Sequence, residues 1–290
     1  TISDKTWEGR PYCLKARIYR RLGDPDAAIA LLQKAKPLYE AAKNDTGLAD
    51  YHNNMGNVVI TKNDYSGAIN HYNSALKIAE KLNDLDASAS AYANIGNVYF
   101  YQAELDKAIA CYEKANTFYI AQGDTISSAL TLDNIALVYN RQEKFEKAIG
   151  YHKSALRVLE NSGDRSLFIE ALSSIGTHYA DRKMNDSAAF YFHNAIAVAG
   201  NSEYVIGKVS ALYNLGDLRL NEKQYGEAEL YLREAMTAAA KSHMVSFSAE
   251  VSRSLSTLFE KTGRLDSALF YARLYADFQD NFSAALCCFF

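Results

Sequence analysis

Proline is nearly absent, with three residues in 290, and glycine stands at 15. So few chain breakers, beside abundant Ala, Leu and Tyr, exclude a turn-rich β domain and predict an all-α chain. The four cysteines, Cys13, Cys111 and the adjacent Cys287 and Cys288, form neither a metal-ligand spacing nor a disulfide framework. No sign of charge dominates: 31 Lys and Arg face 34 Asp and Glu, a net charge of −3. That balance excludes a general nucleic-acid binder, whose phosphate contacts demand a basic surface. No run approaches the roughly 20 apolar residues that a membrane span needs, so none is expected in this chain. Thr1 to Arg10 carries charges and no apolar core, so no secretory leader is expected either. Hydrophobic residues at 49% and charged residues at 22% match a globular protein, which argues against intrinsic disorder.

What the chain does have is a period. Ala28, Ala68, Ala108, Ala148, Ala188, Ala228 and Ala268 recur every 40 residues without an insertion or deletion. Twelve residues earlier stand Ala16, Gly56, Gly96, Ala136, Gly176, Gly216 and Ser256, all small; four residues later come Leu32, Tyr72, Tyr112, His152, Phe192, Leu232 and Ala272, mostly large. Small and large residues in fixed phase are what two closely packed helices require, because a Gly or Ala admits a backbone and an aromatic fills the space beside it. Within a unit the spacing is helical: Tyr92, Ile95, Gly96 and Tyr99 fall at i, i+3, i+4 and i+7, as do Leu105, Ala108, Ile109 and Tyr112. Asp24-Pro25 and Asp64 predict helix starts, and Gly123-Asp124 and Gly163-Asp164 predict a helix stop followed by an N-cap. Each unit therefore reads as a helical hairpin, with helices near 88–101 and 105–121 in the clearest copy.

The stretches Asn94-Ile95-Gly96-Asn97-Val98-Tyr99 and Leu105-Asp106-Lys107-Ala108-Ile109-Ala110-Cys111-Tyr112-Glu113-Lys114-Ala115 resemble the tetratricopeptide repeat almost position for position. Asn54-Met55-Gly56-Asn57 and Asn214-Leu215-Gly216-Asp217 carry the same signature. The usual unit is about 34 residues long. The longer unit here resembles those of kinesin light chains, spindle-orientation adaptors, peptide-regulated Rap and related bacterial proteins, and bacterial sensor kinases. The resemblance implies a right-handed superhelical solenoid of about seven hairpins. The units are expected near 10–43, 44–83, 84–123, 124–163, 164–203, 204–243 and 244–282, with a tail at 283–290, all in a single domain over 1–290. It also implies that the first helix of each pair lines a concave groove.

Repeat phase then supplies the floor of that groove. Candidate peptide-binding residues are Arg17, Arg20, Asn53, Asn57, Asn97, Tyr101, Asp133, Asn140 and Tyr213, a set of amides, aromatics and charges suited to a peptide backbone and its side chains. Glu170, Ser173, Thr177, Asp181, Ser210, Asp217 and Asn221 extend it. Asn54, Asn94, Asn134 and Asn214 are expected to pack between repeats, whereas Asn57 and Asn97, one turn along, point more directly at the groove. Residues 1–22 hold six cations against two anions, a net +4 that leaves −7 for the rest. Such an end either attracts an acidic peptide or simply keeps the terminal helix solvated. The carboxylate clamp by which some relatives hold chaperone C-termini is not expected, because Cys13, Asn53 and Ser90 stand where it needs other residues and only Asn54 matches.

Catalysis is not the expected activity. His52, His71, His152, His178, His193 and His243 are scattered over different units and phases, and His152 holds a packing position. There is no HExxH, CxxC, glycine-rich phosphate loop or nucleophile elbow, so no cofactor and no metal is expected. Tyr99, Tyr139, Tyr179, Tyr72, Tyr112 and Cys111 occupy packing sites of the repeat. Cys287-Cys288-Phe289-Phe290 formally fits a prenylation box, with poorly aliphatic middle residues. Leu265 to Ser283 resembles the end of the repeat array in bacterial sensor kinases and regulators. The expected function is a non-enzymatic scaffold or adaptor that binds a protein or peptide, an acidic one if the basic end takes part. The alternative is a sensory module of a bacterial histidine kinase or transcriptional regulator that responds to a peptide or small ligand. A cytoplasmic location is expected for the first and a periplasmic one for a piece of a sensor.

Overall fold

The computed structural model describes residues 7–200 and 205–287, with side chains to 279. The Cys287–Phe290 motif and the charges of residues 1–6 lie outside the described side chains. The described residues form fourteen α-helices and no strand. They divide into two compact units, one up to Val158 and one from Leu159.

The first unit holds α1 (Arg10–Arg21), α2 (Pro25–Ala41), α3 (Asp45–Val59), α4 (Tyr65–Leu82), α5 (Leu85–Tyr101), α6 (Leu105–Gln122), α7 (Thr125–Arg141) and α8 (Phe145–Glu160), whose last residues lie past Val158. The second holds α9 (Arg165–Asp181), α10 (Asn185–Ala199), α11 (Val205–Asn221), α12 (Tyr225–Lys241), α13 (Val245–Lys261) and α14 (Leu265–Cys287). Within each unit, consecutive helices pack on each other. First helices of neighbouring pairs also touch, α1 on α3, α9 on α11 and α11 on α13. This is the all-α hairpin array that the period predicts. Of the three prolines, Pro11 and Pro25 stand at helix starts and Pro37 sits inside α2.

The small–large phase is a backbone contact. A Cβ added to Gly96 would lie 2.7 Å from the Tyr112 ring, one on Gly56 2.5 Å from Tyr72, and one on Gly176 2.6 Å from Phe192. Those rings are almost wholly buried. Where the ring gives way to His152, also buried, the small residue is Ala136.

Capping follows the expected residues at Asp24, Asp64 and Asp124, and Asp84 adds a cap that the spacing does not point to. All four carboxylates accept from the backbone N–H three residues on, at 2.8–3.0 Å. The helix ends hold a finer period. A left-handed residue follows nearly every described helix at 20-residue steps: Gly23, Lys43, Asn63, Asn83, Ala103, Gly123, Glu143, Gly163, Lys183, Lys223, His243 and Gly263. Helix plus turn is thus a fixed length, and the 40-residue unit is two such lengths. This half-period is hidden in the sequence because most of these sites are not glycine.

Two outcomes are expected. Gly96→Ala drives a methyl into the Tyr112 ring and lowers stability by about 1–3 kcal/mol in urea unfolding. Ala103→Gly relieves a left-handed alanine (φ 60°), a strain of about 1–2 kcal/mol, against a smaller entropic loss. The net change is a gain of about 0.5–1 kcal/mol in the same assay, and a loss would show that the strain is absorbed elsewhere.

Candidate functional site

The first helices carry the candidate residues, and their hydrogen bonds divide them. Asn57 Oδ1 accepts from the Tyr72 hydroxyl at 2.8 Å and Asn97 Oδ1 from Tyr112 at 2.7 Å. Each amide thereby satisfies a buried phenol whose pKa burial drives up, and its carbonyl is committed to the packing it sits beside. Asn53 accepts from Asn94 Nδ2 at 2.7 Å, a bond between neighbouring first helices of the kind expected of Asn94. Asn54 is buried but turns back on its own helix, donating at 2.8 Å to the Asp50 backbone carbonyl and carboxylate. Asp133 pairs with Nδ1 of the buried His152. Tyr101 is exposed and stacks on Tyr65 with ring centroids 6.4 Å apart. Asn140 is half-buried on α7, next to Arg141, whose Nη1 donates to the Phe100 carbonyl at 2.8 Å. Tyr213 is half-buried against the core of the second unit, and its hydroxyl interacts with Arg253.

Open space lies elsewhere on the same helices. In the second unit, a cavity of about 400 Å³ runs between α9 and α11, lined by Glu170, Ser173, Ser174, Thr177, His178, Ser210 and Asn214, with Ile206 and Phe247 as apolar wall. A second, of about 510 Å³, adjoins it through Thr177 and Asn214 and adds Asp181, Lys183, Asn185, Asp217 and Asn221. Ser173 is 7% exposed, and its Oγ has no hydrogen-bond partner. A buried hydroxyl left unpaired carries a desolvation cost of about 1–3 kcal/mol unless something else satisfies it. Asn214, expected between repeats, faces both cavities.

In the first unit, Arg17 lines a cavity of about 370 Å³ with Trp7, Arg10, Cys13, Leu14, Tyr39, Thr46, Gly47 and Asp50. Arg20 is half-buried and does not line it; its charge is felt at the Tyr72 phenol. This cavity is the α9–α11 cleft again, 160 residues earlier: Arg10 matches Glu170, Cys13 matches Ser173, Arg17 matches Thr177, and Asp50 matches Ser210. Gly47 and Gly207 share a position too, where the intervening units carry Ala87, Ser127 and Leu167. A recurrent glycine at that step is the signal by which sequence alone points to the clefts.

One further cluster is internal to the first unit. His52 and His71 face each other with Nδ1 atoms 3.1 Å apart, each edge-on to Tyr51. Burial, then the neighbouring imidazole and Lys36, lower the His52 pKa from 6.5 to about 4, against an opposing pull from Glu40. Burial also lowers that of His71, opposed by Asp64. Among the described residues no group of three or more His, Cys, Asp or Glu side chains is placed to hold a metal, and no helix is long and apolar enough to cross a membrane.

The tetratricopeptide repeat profile matches residues 8–81, 86–161 and 209–242, and the chain belongs to that family. No curated protein matches in sequence. Among solved structures, the apo form of RapI aligns with a TM-score of 0.63 at 16% identity, over 96% of this chain and 99% of that one. The apo quorum sensor NprR from B. thuringiensis aligns at 0.59 and 15%, over 93% and 87%. A Rap protein complexed with Competence and Sporulation Factor aligns at 0.54 and 14%, over 96% and 99%. At these identities the likeness is one of fold.

The imidazole pair sets a pH dependence. A histidine whose folded pKa is depressed binds its proton more readily when unfolded, so its contribution is complete above pH 6.5 and falls away toward pH 4. The urea midpoint is expected to drop across that window and to drop less in His52→Asn; equal slopes would place the titrating groups elsewhere.

Proposed function

We propose that this chain is a non-enzymatic interaction module that binds an extended peptide segment of a partner protein in the groove formed by its first helices. The observation that carries the reading is the α9–α11 cleft, where hydroxyls and amides converge around the unpaired Ser173 Oγ. An extended peptide presents backbone N–H and C=O groups along both edges. Asn side chains both donate and accept, and hydroxyls rotate to suit, so this lining matches a backbone better than it matches a reacting centre. On the first unit's own first helices, Asn57 and Asn97 offer a ligand only their Nδ2 donors, since their carbonyls are held by tyrosines. Ile206 and Phe247 supply apolar surface for a side chain.

A second reading, a sensory module of a bacterial signalling protein, is supported by the likeness in fold to a quorum sensor over most of the chain. The two readings share the groove and differ in the consequence of filling it: tethering of a partner in the first, a signal to an output domain in the second.

Thr177 tests the groove well, because it is exposed, borders both cavities of the second unit and contributes no core packing. Thr177→Arg is expected to fold as wild type by circular dichroism and to lose, by tenfold or more, affinity for peptides that the wild type enriches from a display library. Unchanged enrichment of the same peptides would rule out the groove. Asn97→Arg is a poorer probe, since it also strips the Tyr112 phenol of its acceptor.

A further inference from the structure

His52 on α3 and His71 on α4 meet across one hairpin, 19 residues apart in the chain, with their Nδ1 atoms 3.1 Å from each other. Their ring centroids lie 5.4 Å apart and the ring planes are tilted by 39°. The two phases they occupy carry no histidine in any other unit. Elsewhere these phases hold pairs such as Tyr12 with Leu31, Tyr92 with Cys111 and Leu212 with Tyr231, which fill space. Both departures fall in the same hairpin, at two positions that touch. Packing alone does not ask for an imidazole at either one.

Two imidazole nitrogens at about 2.0–2.1 Å from one ion, with roughly 90–110° between the bonds, lie about 2.8–3.4 Å apart. The His52–His71 spacing falls inside that window. In the metal-free pair one Nδ1–H donates and the other Nδ1 accepts. Burial lowers both pKa values, so at neutral pH neither ring carries a charge that would repel a cation. For an ion to bind, the shared proton moves through solvent to Nε2 of its own ring. Both Nδ1 lone pairs are then open, two nitrogen–metal bonds replace one hydrogen bond, and no proton is lost.

The surroundings suit an open site. Among the described residues no third His, Cys, Asp or Glu side chain joins the pair as a ligand. Both rings are half-buried, so water reaches them and can complete the coordination, and the buried Tyr51 ring stands edge-on to each. Glu40 on α2 raises the His52 pKa and Asp64, at the start of α4, raises that of His71, so each presents negative charge to the pair. Lys36 opposes both, but its ammonium is engaged, 3.7 Å from Glu40 and over the Tyr51 ring at 6.0 Å. Imidazole ligands select zinc, nickel and copper over magnesium and calcium.

We propose that His52 and His71 form a two-histidine site for a borderline divalent cation such as zinc, completed by water, which staples α3 to α4. The site is independent of the peptide-binding reading, since neither histidine lines the cavities of either unit described above. It also gives a reason for two polar rings where the other units place packing residues.

The test is a zinc titration at neutral pH of a chain without a histidine tag, with magnesium as the control. A Cys287→Ser/Cys288→Ser background removes the adjacent thiols, which would bind zinc themselves. Zinc is expected to bind saturably at one equivalent by calorimetry, and magnesium not to bind. In nitrogen-resolved NMR spectra the Nδ1 resonances of His52 and His71 are expected to move together, while those of the other four histidines stay. Because the ion links two helices, the urea midpoint is expected to rise with zinc. His71→Gln is expected to keep the circular dichroism of the parent, to weaken zinc binding at least tenfold and to abolish that rise. The proposal is overturned if the His52 and His71 resonances of the histidine-intact chain stay still as zinc is added, a reading that depends on no variant's folding. It is equally overturned if zinc affinity survives His71→Gln.

Discussion

The contact of a first-helix backbone with a second-helix ring is the constraint on which the whole array depends. An aromatic ring lies against the backbone only where no Cβ intervenes, and each of Gly56, Gly96 and Gly176 would place a methyl inside van der Waals distance of its ring. That contact sets the separation and register of the two helices within a pair. With the register set, the phenol of Tyr72 or Tyr112 ends beside an amide one turn along the first helix, and the Asn57 and Asn97 carbonyls satisfy it. The polar edge of the core and the phase expected to face the groove therefore fall on the same residues. An asparagine here serves packing and leaves at most its donors for a ligand.

Equal helix-plus-turn lengths carry the pair into an array. A left-handed residue at 20-residue steps ends nearly every described helix with the same geometry, and an aspartate or asparagine starts many of the next. Lys, Asn, Glu and His occupy most of these left-handed positions, so the geometry is imposed by packing on both sides rather than by local preference. Salt bridges at the surface, such as Lys62 with Asp26 between neighbouring pairs and Lys81 with Asp45 within one pair, contribute little beyond register.

Much of this was legible in the chain. Spacing alone locates the hairpins, the caps at Asp24, Asp64 and Asp124, the buried roles of Tyr72, Tyr112 and His152 and the half-buried packing place of Cys111, because a core position must repeat if its neighbours repeat. The candidate site was legible only in part. Phase placed Asn53, Asn57, Asn97 and Asp133 on the groove-facing side of their helices, but phase gives a direction and not a partner. Their bonds to Asn94, Tyr72, Tyr112 and His152 span 15 to 41 residues in the chain. Asn214 has the phase of a packing residue yet faces open space, and no repeat pattern marks Trp7, Ile206 or Phe247.

By itself, then, the sequence determined the all-α hairpin array and the division of each unit into a small-residue helix and an aromatic one. Those depend on volume and periodicity, which are properties of residues in order. Only the tertiary structure decided which polar groups were consumed by packing and where space remained. The clefts at α1–α3 and α9–α11 arise between helices about 40 residues apart, and whether a side chain there is satisfied depends on the atoms its neighbours bring.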